Sequence, residues 1–148
     1  MSENEKPPAP QVEQRGPVVG GEPLGEQEAR EFPLPRLLPV LPARQFVMYP
    51  HLILPAVVTT PRDIRLVNDV VIKDRLVASV AQTDPEAEDV GPDQIYPVGC
   101  ATAVLKMLKF PDDTTRLLLQ GLSRIRILRF VQTEPYLVAE VERLETVA

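Results

Sequence analysis

Arg124-Ile125-Arg126-Ile127 alternates charged and apolar side chains, the period of two that a strand needs to keep one face wet and one face buried. The residues around it carry the same signal. "VGCATAVLKMLKF" and "TTRLLLQGLSRIRILRF" face each other across a tight turn at Pro111–Asp113, and "YLVAEVERLE" (Tyr136–Glu145) supplies a further strand. Leu128-Arg129-Phe130 shifts the phase by one, which predicts a bulge near Ile127–Leu128. Gly121 predicts a second bend.

Upstream, "LLPVLP" (Leu37–Pro42) reads as a short strand, "LILPAVVTT" (Leu52–Thr60) as a second and "RLVASVAQ" (Arg75–Gln82) as a third. Pro55 assigns the second to a sheet edge or a bulge, because it cannot donate to a ladder. Thr60-Pro61-Arg62-Asp63 is a helix start, with Thr60 at the cap and Pro61 at the first position. The helix buries Ile64, Val67 and Val71 and ends near Asp74. The acidic segment 84–93 is read as a mobile surface loop; it lacks the spacing of a calcium loop. About six strands, one helix and late hairpins predict a mainly β (α+β) fold: a small antiparallel barrel, closed or nearly so, with the helix packed at one end.

At 148 residues the chain has the size of one domain. Residues 1–35 hold seven of the 17 prolines and four of the seven glycines, and seven acids against three bases. With few apolar residues they are expected to form a disordered tail, leaving 36–148 as the folded domain. That domain carries a net charge of only −1, so no strong field steers nucleic acid to it. "RIRILR" has no interleaved aromatics for base stacking and reads as a solvated strand face. The N-terminus lacks the basic start and apolar run of a signal peptide, and no apolar stretch reaches bilayer length. A reducing, cytoplasmic setting without membrane contact is expected.

Chemistry is sparse. No Gly precedes a Lys, so no phosphate loop is present and ATP hydrolysis by this chain is not expected. The single His51 and single Cys100 are too few for a Cys/His zinc site. They form a thiol–imidazole pair only if the fold joins them; the plainer reading makes Cys100 a small buried hydrophobe and His51 a surface turn residue. Ser123, with Lys106 or Lys109 on the neighbouring strand, is a remote Ser–Lys possibility. No catalytic, cofactor or metal residue is therefore assigned. "QFVMYPHLILPAVVTT" (Gln45–Thr60) offers more apolar side chains than one strand and turn need. Phe46, Met48, Tyr49, His51, Leu52 and Ile53 either pack the barrel end or leave an exposed patch suited to unfolded polypeptide.

The order of these segments resembles the N-terminal domain of the ATP-dependent protease Lon. The resemblance is carried by Leu38-Pro39-Val40-Leu41-Pro42, Arg44, Tyr49-Pro50-His51, Leu54-Pro55 and Ile64, then "VASVAQ", then "IYPVGCATAVLKMLKFPDDTTRLLLQGLSRIRI". It covers about Arg36 to Glu145. Asp113 stands where the family has a turn Gly, Gln120 where it has Glu before Gly121, and Ser123 where it has a basic residue. The resemblance implies a PUA-like pseudo-barrel that captures and positions unfolded or tagged proteins without catalysis. It also implies a parent enzyme, an AAA+ ATPase joined to a Ser-Lys protease, in which ATP and magnesium belong to domains missing here. Partners would be clients and the other domains of the same protease, homohexameric at full length. The alternatives are a PUA-like barrel that binds RNA or a small ligand, and a stand-alone regulator or scaffold.

Overall fold

The computed structural model describes residues 11–12, 22–44, 46–88 and 90–144. Its strands are β1 (Gln11–Val12), β2 (Leu37–Ala43), β3 (Ile53–Val58), β4 (Leu76–Ala81), β5 (Val98–Lys109), β6 (Thr115–Gln132) and β7 (Val138–Arg143); its helices are α1 (Glu26–Glu31) and α2 (Pro61–Val71). β1 is two residues long and pairs with the end of β5. The other six strands match the expected number. Strands run in the order β1-β5-β4-β2-β7-β6-β3, and β5 also pairs with β6. That extra pairing closes a ring of β5, β4, β2, β7 and β6, which is the expected small barrel. β3 hangs outside the ring on the first half of β6. Among the described residues it pairs with no other strand, so Pro55 does sit on an edge.

The ring closes because β6 bends. Its first half pairs with β3, its second half with β7, and Gly121 lies between them. The register against β7 slips between Ile127 and Arg129, where the phase shift in the sequence predicts a bulge. A slip between Val104 and Lys106 on β5 lets Val104 and Met107 both face α2, while Ala101, Ala103 and Leu105 fill the barrel. The apolar interior is thus two clusters. One fills the barrel around Leu38, Val40, Leu76, Leu122 and Ile125; the other lies under Leu66, Val67, Val70 and Val71 of α2. Thr60 Oγ1 caps that helix, accepting from the Asp63 N–H at 3.2 Å. Ile64, expected in the core, is only partly buried, and Leu66 and Val70 take the central places.

Four expectations need correction. The barrel is not wholly antiparallel: β2 and β4 run parallel, because the chain returns through β3 and α2 before re-entering the ring. The described residues form two helices, not one. Order also begins before Arg36. α1 lies within the segment read as a tail, with Ala29 fully buried and Leu24, Phe32 and Leu34 packed on the barrel core. The Gln120 side chain holds this arm by two hydrogen bonds, accepting from Leu24 N–H at 2.7 Å and donating to Leu24 C=O at 2.8 Å. Apolar anchors, this amide latch and a hydrogen bond from Arg143 to the Phe32 carbonyl order a segment whose composition alone is unfavourable. The rest of the expected tail, 1–10 and 13–21, lies outside the described residues, as does the end of the last strand at Glu145. Finally, the acidic segment is tied to the barrel. Val90 is fully buried, Arg62 donates to its carbonyl at 2.7 Å, and the Gln82 amide donates to the carbonyls of Asp84 and Ala87.

Candidate functional site

The chain leaves β2, turns at Tyr49-Pro50-His51-Leu52 and enters β3. This turn is pinned to the bend of β6. His51 N–H donates to Gly121 C=O at 2.9 Å, Gly121 N–H donates to Leu52 C=O at 2.9 Å, and Leu52 N–H donates to Tyr49 C=O at 3.1 Å. The approach is so close that a Cβ on Gly121 would lie 2.0 Å from the Tyr49 carbonyl oxygen. Only glycine fits. His51 takes a positive φ of 73° here, a conformation uncommon outside glycine.

The clamp sorts the six candidate residues into two groups. Met48 is buried in the cluster beneath α2, and Phe46 packs half-buried against it. Tyr49, Leu52 and Ile53 remain exposed, at 51%, 38% and 42%. His51 is exposed beside them, its Nε2 3.6 Å from the Glu26 carboxylate of α1. The stretch is thus divided: Met48 and Phe46 go to the core, while Tyr49, His51, Leu52 and Ile53 stay at the surface. Val47 and Val57 are exposed as well and were not among the candidates. Val57 could have been found, since it shares a strand face with Ile53 at i+4. Val47 carries no such periodic signal.

The other candidates do not assemble into catalytic chemistry. Cys100 is wholly buried, and burial pushes its thiol up to about 11, so it is a poor nucleophile. His51 is exposed, with its Nε2 beside the Glu26 carboxylate, whereas the thiol is buried. Ser123 is buried on β6 opposite Ala101, whereas Lys106 and Lys109 stand opposite Leu118 and Thr115. At about 3.3 Å per residue that puts roughly 15 Å or more along the strand between the backbone of Ser123 and that of either lysine. The arginine stripe is a solvated strand face with ion pairs: Arg126 lies 3.9 Å from Glu142 and Arg129 lies 2.7 Å from Glu140. Glu140 also accepts from Arg36 at 2.7 Å, and the two guanidinium groups hold its carboxyl below the usual range.

Comparison with known proteins gives a consistent assignment. Residues 37–147 match the family model described as ATP-dependent protease La (LON) substrate-binding domain. The chain is 43% identical over 112 residues to a Lon protease of Dictyoglomus thermophilum, covering 76% of this chain and 14% of that protein. It is 37% identical over 145 residues to a Lon protease of Anaeromyxobacter dehalogenans, covering 98% of this chain and 17% of that protein. The chain thus spans about a sixth of the length of these relatives. Among solved structures, the N-terminal domain of a Mycobacterium avium complex Lon protease superposes with a TM-score of 0.60 at 14% identity, over 76% of this chain and 56% of that one. A Lon N-terminal domain protein from Xanthomonas campestris gives 0.56 at 21% identity, over 74% and 60%. These two share the fold. The matched family model spans nearly the whole ordered barrel, and this chain belongs to the family of Lon substrate-binding domains.

Proposed function

We propose that this chain is the non-catalytic client-recognition module of an ATP-dependent Ser-Lys protease that degrades misfolded and regulatory proteins. The observation that carries the reading is the exposed rim of Tyr49, Leu52 and Ile53, held rigid by the clamp on Gly121. Unfolded polypeptide offers apolar side chains without a fixed shape, and such a rim can receive them without closing around them. A preformed platform also loses little conformational entropy on binding. ATP, magnesium, peptide cleavage and the assembly of a homohexamer belong in this reading to other domains of the parent protease, which works in the cytoplasm.

Fluorescence anisotropy of a dye-labelled, reduced and carboxymethylated protein, titrated with this chain, tests the proposal. The expected result is saturable binding that the natively folded, unmodified form of the same protein does not show. Replacing Tyr49, Leu52 and Ile53 together with Ser weakens it by about tenfold or more, since each buried apolar side chain is worth about 1.5–3 kcal/mol. Equal binding by the triple variant would refute the reading.

A further inference from the structure

Behind the exposed rim, the Val47–Tyr49 segment crosses the outer wall of the barrel and leaves a cleft of about 260 Å³. Its walls include Val47, Met48, Tyr49 and Val98, and two polar side chains, Ser79 and Arg124, line it as well. Ser79 lies on β4 between Ala78 and Val80, which point into the barrel, so its own side chain points out toward the cleft. It is 3% exposed, and among the described residues its hydroxyl has no hydrogen-bond partner. A buried hydroxyl without a partner is costly unless something meets it. Arg124, exposed on β6, is the second polar group. Its neighbours on the stripe, Arg126 and Arg129, pair with Glu142 and Glu140, while among the described residues no acid pairs with Arg124.

The cleft is smaller than the roughly 300–1,000 Å³ typical of sites for drug-sized ligands, so it suits one residue better than a cofactor. Apolar walls beside an unpaired cation and a buried hydroxyl ask for an apolar group and an anion on the same residue. The C-terminal residue of a polypeptide has both, and the cleft has the volume for about one residue. We propose that this cleft captures the free C-terminus of a client with an apolar last residue. The carboxylate accepts from the Arg124 guanidinium and the Ser79 hydroxyl, and the last side chain lies against Val47, Met48 and Tyr49. The inference rests on the client-recognition reading and adds an end-specific subsite to it.

The test is anisotropy of a short, dye-labelled, unstructured peptide ending in Leu, prepared as the free acid and as the C-terminal amide. The full chain should bind the acid about tenfold or more tighter than the amide, the scale of a lost charge-assisted hydrogen bond. Arg124→Gln should bring the acid down to the level of the amide and leave the amide unchanged. Ser79→Ala should cause a smaller loss for the acid alone. Circular dichroism confirms that both variants fold, and Arg124→Lys should keep part of the preference. Equal binding of acid and amide by the unaltered chain would overturn the proposal, as would equal losses for both peptides in Arg124→Gln. So would equally tight binding of an amidated peptide with an internal Glu beside Leu, because the site would then read any carboxylate. If the carboxymethylated protein still binds while acid and amide do not differ, the subsite fails and the rim stands. If nothing binds, both fail.

Discussion

One carbon added at Gly121 would reach 2.0 Å from the Tyr49 carbonyl oxygen and 3.1 Å from Cys100 Sγ. Backbone, not a flexible side chain, blocks the way, so Gly121→Ala must displace the whole Tyr49–Leu52 turn. A cost of roughly 2–3 kcal/mol is expected from such overpacking, read as a lower urea midpoint, together with weaker client binding. Unchanged stability would show that the turn is not clamped. Cys100, against the same turn, tests the burial argument by pH. Its thiol is raised from 9.0 to about 11 by burial, so the folded state favours the neutral form. The contribution to stability is whole below pH 9 and is lost as pH rises toward 11. Cys100→Ala should flatten the stability profile across that window. At this scale much was legible: the edge position of Pro55, the bulge after Ile127 and the cap at Thr60 follow from local chemistry. Asp113 was the open question, since it replaces a turn glycine. It takes a φ of 66° itself, as Asp tolerates better than most residues. The clamp on Gly121 was not legible beyond a bend, because its other half is a carbonyl seventy-odd residues upstream.

Among the elements, α2 was the most legible and α1 the least. α2 announces itself with a cap, a proline and an apolar stripe. Thr60→Ala should cost about 1 kcal/mol, and Leu66→Ala about 2–5 kcal/mol because Leu66 has no exposed surface left; thermal denaturation separates the two. α1 is short, acidic and embedded among prolines, so neither period nor propensity marks it. Its order depends on Gln120, which both accepts from and donates to the peptide groups of Leu24. Gln120→Glu keeps the acceptor and removes the donor, setting a carboxylate against the Leu24 carbonyl. Hydrogen exchange should then speed up at Leu24–Phe32 while the barrel strands keep their protection. Uniform exchange across the chain would show that the arm is part of the barrel's cooperative unit. The parallel β2–β4 pair was hidden for another reason. Strand direction here is set by a crossover through β3 and α2, which no local pattern encodes.

For the molecule as a whole, family membership and barrel closure agree, and the remaining question is which face does the work. The rim around Tyr49, Leu52 and Ile53 is pinned to the bend of β6 at Gly121, while the outer face of β7 carries acids paired to arginines. A platform that recognises unfolded chains should use the first and ignore the second. The most direct measurement is amide chemical-shift mapping of the isotope-labelled chain titrated with a permanently unfolded polypeptide. The shifts should gather at Phe46–Val57 and at the Ser79 and Arg124 walls of the adjoining cleft, with β7 silent. Shifts gathered on β7 with the rim unmoved, or none at all at saturating client, would contradict the account.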